Sequence, residues 1–591
     1  MCGIFALLNN DTSFTQQFIE KQFLKGKRRG PEFSVLKPPM LRSQLGFHRL
    51  AINGLNYESN QPFDIDNITL ICNGEIYNYK FLYKLMGIIG ETNSDCEVIL
   101  HLYKKYGIEE TLQLLDGVFS FVLIDYRLEN ENSKMFFGRD PFGVRPLYIF
   151  SKNANGNNTI AVASEMKVLY EFYKEIGGTI ENFPPGTYSE YHLPTTVSPS
   201  WTLNKQNIRY HTTGFQSNIY DHFMDEPTVV KSIQYYLTNA IFKRCSTTER
   251  PIACLLSGGL DSSLITALVS FYRTRNGLSN IETYSIGLAD SEDLKYARIV
   301  AEYLNTKHTE IVLSEEEFIN AIPHVIESIE SYDTTTVRAS IGNWLLGKYI
   351  SDNSDAKVIF NGDGSDELMG GYLYMHKAPD SIEFDKESRR LLNDIYMFDV
   401  LRSDKSISSH GLEPRTPFLD RNWVQYYLSI PMSMRNHTIE NRCEKYLLRK
   451  AFSIEYFQTD EGKPLLPDCI LWRKKEAFSD GVSNMSRSLY EIIQEYTDQE
   501  FINEHGININ EMDKKENIIT NVFYNSTNST NSTNKNSIHL IPKTTEQYYY
   551  RKIYESHYGG LASCIPYFWM PKFVKATDAS ARTLEIYDKE N

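Results

Sequence analysis

The sequence has few cysteines, no long apolar run and no excess of basic residues. It contains 8 cysteines in 591 residues and no C-x-x-C pair, which argues against a zinc site or a disulfide framework. No stretch approaches the roughly 20 apolar residues of a membrane helix, so no membrane span is predicted. A formal net charge of −14 disfavours nucleic acid as a partner, because binding phosphates needs a basic face. The N-terminus lacks the basic region of a signal peptide, which predicts a cytoplasmic protein.

The pattern of short apolar runs divides the chain into two domains joined by a linker. Residues 1–203 contain many β-branched or aromatic runs separated by Asn, Gly and Pro, for example residues 3–8 and 68–72. This pattern predicts an α+β layered sandwich of antiparallel sheets, with a helix over residues 95–106. Residues 204–225 are polar and weakly patterned and are expected to form the linker.

Residues 226–591 show a different rhythm, in which short apolar runs alternate with longer helical patterns. Residues 252–256 precede a Gly-rich turn and a helical pattern, and residues 282–287 and 357–360 are further predicted strands. This alternation predicts an α/β domain with a parallel sheet. A stretch rich in Asn, Ser and Thr near residues 525–536 is expected to be a low-complexity surface loop.

Cys2 is the first candidate catalytic residue. Removal of Met1 would leave a cysteine whose free α-amine, with a pKa near ~7.7–8, could accept the thiol proton. Asn73 and Gly74 could supply an oxyanion hole after a predicted strand. Arg49 could hold a carboxylate, and Asp95 could pair with an ammonium group. Each residue also has an ordinary alternative, such as a turn, a helix cap or a surface charge, but together they favour a site that hydrolyses an amino-acid amide.

These residues lie in motifs that resemble the glutaminase domain of class II glutamine amidotransferases. The matching stretches are residues 1–4, 29–31, 73–78, 94–97 and 139–143. The resemblance implies an N-terminal-nucleophile fold in which Cys2 is the nucleophile and Asn73 and Gly74 stabilise the oxyanion. The implied glutamine-binding residues are Arg49, Leu50, Ala51, Ile52, Asn53, Asn73, Gly74, Glu75 and Asp95. One departure is that Arg28 and Glu32 stand where the family usually has His and Asp.

A second candidate site begins at residues 257–263, Ser-Gly-Gly-Leu-Asp-Ser-Ser, between a predicted strand and a predicted helix. Glycines let the backbone approach an anion, and successive N–H groups at a helix N-terminus bind phosphate. Asp261 distinguishes this loop from a Walker A loop, because a carboxylate reaches a phosphate chain only through a metal ion. An ordinary Gly-rich turn is the alternative, and the full string favours a nucleotide site.

An acidic loop at residues 361–367 follows the apolar run 357–360. In an open α/β sheet the carboxyl ends of the strands meet at one edge, where ligands bind. Asp261 and Asp366 are therefore predicted Mg²⁺ ligands, each offering a hard oxygen donor. A solvated acidic turn is the alternative for this loop.

The loop at residues 257–263 resembles the pyrophosphate loop of ATP-pyrophosphatases. Its combination with a class II glutaminase resembles the glutamine-hydrolysing asparagine synthetases, particularly the eukaryotic branch. The further matching stretches are residues 333–340, 370–374, 415–420, 444–449, 472–476, 569–572 and 576–584. The similarity extends over nearly the whole chain.

This resemblance implies that ATP adenylates the β-carboxylate of aspartate and that ammonia released from glutamine attacks the β-aspartyl-AMP. The implied ATP-binding residues are Leu256, Ser257, Gly258, Gly259, Asp261, Ser262, Ser263, Ile286, Asn361 and Gly362. Thr335, Thr336 and Arg338 are expected near aspartate, Lys445 near the phosphates, and Asp363 in the chemistry. Mg²⁺ is the expected cofactor, and a homodimer is the expected assembly.

Asp363 departs from the resembled family, which usually has glutamate at that place in Ser-Gly-Glu-Gly-Ser-Asp-Glu. Two alternatives to an asparagine synthetase stay open. One is a related amidotransferase that adenylates another carboxylate, of the β-lactam-forming or peptide-modifying type. The other is an inactive sensor of nucleotides or amino acids, against which the intact Cys2 and the intact loop 257–263 argue.

Overall fold

The structure is a computed structural model of residues 1–591. It describes all of them except residues 12, 128–131, 155–156, 195–198, 215–223, 441, 476–480, 484–486, 508, 510–514, 530–537, 577 and 581–591. Among the helices of the described residues, none is both long enough and apolar enough to cross a membrane.

The N-terminal domain contains two sheets of antiparallel strands. Its strands are β1 (Gly3–Leu8), β2 (Phe33–Leu36), β3 (Ser43–Arg49), β4 (Phe63–Ile65), β5 (Ile68–Ile76), β6 (Gly117–Asp125), β7 (Asn132–Arg139), β8 (Tyr148–Ala154), β9 (Asn157–Ala163), β10 (Thr179–Asn182), β11 (Thr187–Pro194) and β12 (Thr202–Arg209). Within the described residues, one sheet has the strand order β10-β8-β9-β1-β3-β2 and the other has the order β12-β11-β7-β6-β5-β4. The helices of this domain are α1 (Gln16–Phe23), α2 (Tyr79–Met86), α3 (Val98–Leu114) and α4 (Met166–Ile176).

The two sheets pack face to face because their central strands are apolar on both faces. In β1, Ile4 and Ala6 contact Ile71 and Val122 of the opposite sheet, whereas Phe5 points outward towards α1 and α4. The outer face of the second sheet is covered by α2 and α3. The domain therefore has helix, sheet, sheet and helix layers, so the centre of each sheet is shielded from water.

The C-terminal domain is built around a parallel sheet with the order β15-β14-β13-β16-β17. Its strands are β13 (Ile252–Leu255), β14 (Glu282–Gly287), β15 (Lys307–Val312), β16 (Val358–Phe360) and β17 (Glu413–Arg415). Its helices are α5 (Glu226–Ser246), α6 (Leu260–Arg275), α7 (Glu292–Leu304), α8 (Glu315–Ile329), α9 (Thr334–Asn353), α10 (Ser365–Met369), α11 (Ser381–Asp394), α12 (Asp399–Ser408), α13 (Arg421–Ser429), α14 (Met432–Arg435), α15 (Tyr446–Ala451), α16 (Asp468–Leu471), α17 (Leu489–His505), α18 (Lys515–Ser529) and α19 (Thr545–Tyr558).

Helices cover both faces of the parallel sheet, as its apolar strands require. In β13, Cys254 faces α5 and α6, and its neighbour Leu255 faces α8 and α9. The chain runs from β13 to β14 on one side and later returns to β16 on the other side, so the strand order reverses at β13. Such a reversal opens a crevice at the carboxyl ends of the strands, which is the usual ligand site of open α/β sheets.

Three predicted boundaries differ from the structure. Residues 204–209, predicted as the start of the linker, belong to β12, which pairs with β11 at a sheet edge. The sequence hid this strand because all its side chains are exposed, so it lacks apolar alternation. The predicted helix over residues 95–106 begins with the 3-10 turn Asp95–Glu97 and extends as α3 to Leu114. In the predicted loop near residues 525–536, the first residues belong to α18, and residues 530–536 lie outside the described residues.

Candidate active sites

Cys2 lies directly before β1 and beside β5. Its backbone nitrogen donates a hydrogen bond of 3.0 Å to Oδ1 of Asn73, and its Sγ lies 3.8 Å from the carbonyl oxygen of Leu50. Met1 is attached in this structure, and its amino group lies 3.3 Å from Oε2 of Glu413. Burial raises the pKa of the Cys2 thiol, so the thiol requires a neighbouring base to become a thiolate.

Asn73 and Gly74 lie in β5 next to Cys2. The side chain of Asn73 is fully buried, and within the described residues its Nδ2 has no hydrogen-bond acceptor. A Cβ atom at Gly74 would approach the carbonyl oxygen of Val118 to 2.5 Å, so only glycine fits between β5 and β6. A buried amide donor without an acceptor is costly, and an oxyanion formed next to the thiol would satisfy it.

Two buried carboxylates lie at the end of β5. Nδ2 of Asn53 donates to Oε2 of Glu75 over 2.7 Å, and Oδ2 of Asp95 accepts the backbone N–H of Ile76 over 2.6 Å. Burial raises the pKa of Asp95 to about 6. Burial also raises the pKa of Glu75, and the nearby Asp95 charge raises it further. An ammonium group between these carboxylates would restore their charged forms.

Arg49 lies at the end of β3, where the sequence predicts a carboxylate-binding group. Its guanidinium donates hydrogen bonds to Oδ1 of Asn60 (2.8 Å) and to the backbone carbonyl oxygen of Asn56 (3.2 Å). It also donates to the backbone carbonyl oxygens of Asn53 (3.1 Å) and Gly54. In this structure Arg49 therefore holds the loop that follows β3. A carboxylate ligand would have to exchange with some of these carbonyls.

Residues 50–52 are buried between the two domains, where Leu50 and Ile52 are each 2% exposed. The backbone N–H of Ala51 donates a hydrogen bond of 2.7 Å to Oε2 of Glu32, and Oε1 of the same carboxylate accepts one of 2.5 Å from Arg250. The unusual Glu32 therefore orders the loop after β3 and ties it to the C-terminal domain. Although glutamate is longer than the aspartate usual in the resembled family, its carboxylate still accepts both hydrogen bonds.

The edge strand β17 of the parallel sheet contacts the Cys2 site. NH2 of Arg415 lies 3.3 Å from Oε2 of Glu75, and Nε of Arg415 lies 2.9 Å from Oε1 of Glu413. All three side chains are buried. The C-terminal domain thus supplies charged groups that reach the N-terminal site across the domain interface.

A cavity of about 200 Å³ lies at the carboxyl ends of β13, β14 and β16. The predicted nucleotide residues that line it are Leu256, Ser257, Asp261, Ser262, Ile286, Asn361 and Gly362. Gly258 instead packs against α7, since a Cβ there would lie 2.4 Å from the backbone nitrogen of Ala297. Ser263 is fully buried within α6. The crevice expected at the strand reversal is thus lined by most of the predicted nucleotide-binding residues.

A smaller cavity of about 60 Å³ adjoins the first and shares the loop at residues 257–262. Gly259 and Lys445 line it, together with four further basic side chains: Arg449, Arg473, Lys474 and Lys475. Lys445 precedes α15 in a left-handed conformation. Asp261, Asp293 and Glu444 also line this cavity, and its five basic groups suit a polyphosphate.

Asp261 and Asp366 face each other across this phosphate region. Nζ of Lys445 lies 2.6 Å from each carboxylate, and Nζ of Lys475 lies 2.7 Å from Asp366. Burial raises the pKa of Asp366, but the ammonium groups of Lys445 and Lys475 outweigh it and lower that pKa below its usual value. Within the described residues no group of three or more His, Cys, Asp or Glu side chains is arranged to hold a metal ion. Two carboxylates suit Mg²⁺, which usually takes one or two carboxylates and completes its shell with phosphate oxygens and water.

Asp363 lines the cavity beside the guanidinium of Arg402, with 3.4 Å between Oδ1 and NH2. Arg402 also pairs with Asp399. Burial raises the pKa of Asp363, and the Arg402 charge opposes this rise. The shorter aspartate therefore still places a carboxylate in the cavity.

Thr335 and Thr336, at the start of α9, line the same cavity, and their place near aspartate stays a prediction. Arg338 is not among the lining residues. Its guanidinium binds Glu546 over 2.7 Å and Asp578 over 2.7 and 2.8 Å. The structure therefore does not bring Arg338 to the aspartate region as the resemblance implied, because two acidic side chains from the end of the chain engage its donors.

Comparison with known proteins identifies the family. The family described as Asparagine synthase matches residues 233–383 and 380–521, and the Glutamine amidotransferase domain matches residues 1–191. The proteins named "Asparagine synthetase [glutamine-hydrolyzing]" from Mus musculus, Gallus gallus and Homo sapiens are 40%, 39% and 39% identical to this chain. Each alignment covers 99% of this chain and 99% of the relative.

The chain belongs to the glutamine-hydrolysing asparagine synthetases. The family predicted from the motifs and the fold class predicted for both domains are confirmed. Enzymes of this family are ATP-dependent ligases, which agrees with the predicted enzyme class.

Arg402, Arg415 and Lys475 are among the cations that the structure places in the two sites and that the local sequence did not predict. Arg415 and Lys475 lie in motifs that resemble the family, but no role followed from their local sequence. Arg402 gave no signal at all, since it lies on α12 between unremarkable residues. Arg402 also lies beside Asp363, Arg415 beside Glu75 and Lys475 beside Asp366. Each of these three carboxylates is more than 35 positions away along the chain, so only the tertiary structure reveals the contact.

Proposed function

We propose that this chain converts aspartate, ATP, glutamine and water into asparagine, AMP, pyrophosphate and glutamate. The observation that carries this proposal is the presence of two complementary sites in one chain. One site has a thiol beside an unpaired buried amide donor, and the other has a cavity next to a phosphate-binding loop. The full-length identity of about 40% to proteins named for this reaction supports the same conclusion.

The N-terminal site hydrolyses glutamine in this proposal. After removal of Met1, the α-amine of Cys2 takes the proton of its own thiol, and the thiolate attacks the side-chain amide. Nδ2 of Asn73, which is buried without an acceptor, and the N–H of Gly74 stabilise the oxyanion by donating hydrogen bonds to it. Glu75 and Asp95 hold the substrate ammonium.

The remaining glutamine contacts in the proposal come from Arg49 and from the loop that follows it. Arg49 is proposed to hold the substrate carboxylate. Leu50, Ala51, Ile52 and Asn53 are proposed to shape the pocket around the side-chain amide.

The C-terminal site activates aspartate in this proposal. The β-carboxylate attacks the α-phosphate of ATP, pyrophosphate leaves, and the carboxylate gains a good leaving group in AMP. Lys445 and the four further basic side chains that line the smaller cavity stabilise the leaving pyrophosphate. Thr335 and Thr336 bind the amino acid, and Asp363 accepts a proton from the attacking ammonia, which reaches this site across the domain interface.

Asp261 and Asp366 would hold Mg²⁺. When bound, the ion neutralises phosphate charge and orients the phosphate chain for in-line attack. Lys445 and Lys475 contact the same two carboxylates, and their charges lower the pKa of Asp366 against the opposing effect of burial.

The proposal is tested by product analysis. The purified full-length protein is incubated with glutamine, aspartate, ATP and Mg²⁺, and asparagine, glutamate, AMP and pyrophosphate are quantified. We expect one AMP and one pyrophosphate for each asparagine, because the activated intermediate carries AMP. Omission of aspartate serves as the control.

Two results would contradict the proposal. AMP formation with another carboxylic acid but not with aspartate would indicate a relative with a different substrate. Binding of ATP and glutamine without any turnover would indicate a sensor.

Asp363→Ala is expected to lower asparagine formation about a hundredfold, because displacing a reacting group by ~1 Å already costs that much. Asp363→Glu is expected to keep activity near that of the parent, because Arg402 lies 3.4 Å away and can pair with the longer carboxylate. The measurement is ammonia-dependent asparagine synthesis under saturating ATP, with glutaminase activity as the control.

Unchanged synthesis by Asp363→Ala would remove this residue from the mechanism. Loss of activity in both Asp363→Ala and Asp363→Glu would show instead that activity depends on the shorter side chain of Asp363.

We also propose a cytoplasmic location. All eight cysteines lie in the described part of the chain and each is free, as expected in a reducing compartment. The homodimer and the domain limits stay predictions.

A further inference from the structure

The last described part of the chain reaches the synthetase cavity. Residues 566–576 and 578–580, here called the C-terminal segment, follow α19. Trp569, Pro571 and Ala579 line the cavity together with Ser257 and Thr335. The segment belongs to the motifs that resemble eukaryotic asparagine synthetases, and neither site described above gives it a role.

Trp569 is fixed in the cavity wall. Its backbone N–H donates a hydrogen bond of 2.7 Å to Oδ1 of Asp333. Oδ2 of Asp333 accepts a hydrogen bond of 2.8 Å from the backbone N–H of Thr336. One aspartate therefore joins the segment to the start of α9, where the cavity threonines lie. The indole is 5% exposed, and its ring centre lies 5.2 Å from that of Tyr372. A large flat apolar group thus closes one side of the cavity.

Arg338 holds the other end of the segment. It lies on α9 just after the cavity threonines and binds both carboxylate oxygens of Asp578, over 2.7 and 2.8 Å. Its remaining donors bind Glu546, and its guanidinium lies 4.7 Å from the ring centre of Tyr490. A buried bidentate pair sets a single geometry, so Ala579, next to Asp578, has a defined place in the wall.

We infer that the C-terminal segment shields activated aspartate from water, and that Arg338 and Asp578 are positioning residues for it. The inference rests on the proposed synthetase reaction. Water can attack the acyl carbon of β-aspartyl-AMP and break its bond to the phosphate oxygen, which returns aspartate, AMP and a proton. Ammonia attacking the same carbon gives asparagine and AMP. A wall that excludes water favours the second outcome.

The test compares Trp569→Ala with Trp569→Phe in the full-length protein. Ammonia-dependent synthesis is measured as AMP and asparagine formed in the same reaction, together with the KM for aspartate. In the alanine variant we expect the AMP-to-asparagine ratio to rise at least about twofold, because water enters the cavity. The phenylalanine variant, which keeps an aromatic wall, should stay near the parent ratio.

Asp578→Asn provides a second variant that leaves the indole in place. It keeps the side-chain shape but weakens the pair with Arg338, so we expect a smaller rise in the same ratio. Lys572→Ala is the matched control, because Lys572 lies on the same segment, is 44% exposed and pairs with the surface residue Glu383. Glutaminase activity should be unchanged in both variants, and the unfolding temperature should be unchanged in Lys572→Ala.

A parent-like AMP-to-asparagine ratio in either folded variant, Trp569→Ala or Asp578→Asn, would overturn the inference. A uniform loss of AMP and asparagine without a change in ratio would also overturn it, since that indicates a structural role alone. If the parent protein itself formed no AMP with aspartate, the proposed function would fail instead, so the two failures are distinguishable.

Discussion

Replacing Cys2 with alanine is expected to abolish glutamine-dependent asparagine synthesis and to leave ammonia-dependent synthesis largely intact. The thiol is the proposed nucleophile of the N-terminal site, and loss of a catalytic nucleophile lowers turnover by about a thousandfold or more. The synthetase cavity lies in the other domain and contains no group from residue 2. The measurement is asparagine formed with glutamine or with ammonium chloride as the nitrogen source.

Cys469→Ala is the matched control, because Cys469 is exposed and lies in neither site. An uncleaved extension before Met1 should mimic Cys2→Ala, since the nitrogen of Cys2 would remain an amide and could not act as the base. Loss of both activities in a folded Cys2→Ala protein would contradict the assignment of two separate sites.

Asp261→Asn is expected to remove ATP turnover with either nitrogen source while glutaminase activity remains. Asp261 accepts hydrogen bonds of 2.6 Å from both Lys445 and Ser365 and is a proposed Mg²⁺ ligand. Neutralising it removes charge stabilisation from the phosphate region, which typically costs about a hundredfold or more in turnover. The measurement is AMP and pyrophosphate release, with glutamate release followed in parallel.

Asp460→Asn is a suitable control, because Asp460 is an exposed aspartate that pairs with Arg275, the last residue of α6, and Asp261 lies in the first turn of that helix. An Asp261→Asn protein that still released AMP at the parent rate would exclude Asp261 from the nucleotide site. Release of ADP rather than AMP by the parent would contradict the ATP-pyrophosphatase type of chemistry.

Much of the fold was predictable wherever burial leaves a local pattern. β1 at Gly3–Leu8 and β14 at Glu282–Gly287 have the predicted bounds, because each is a short stretch of strand-forming residues bordered by turn-forming residues. β12 was missed because an exposed edge strand needs no apolar side chains. Buried strands could therefore be predicted from the sequence. A strand held mainly by backbone pairing, such as β12, could not.

The candidate sites were predictable to the extent that their chemistry lies in contiguous motifs. Asn73 lies beside Cys2, and Asp366 lies beside Asp261, as the motifs and the sheet topology predict. Arg49 and Arg338 show the limit of this reasoning. An arginine suits any carboxylate or carbonyl, and its residue type alone does not say which partner lies nearby.

The sequence by itself determined the family and the two domains, and it predicted the residues around each chemical centre, because those motifs are local. Only the tertiary structure decided which distant groups complete the sites. Arg415 meets Glu75 across 340 positions, and Arg338 meets Asp578 across 240. Such contacts depend on how domains and chain ends pack against one another. Periodicity and motif spacing carry information over a few turns of chain, so they contain no record of these partners.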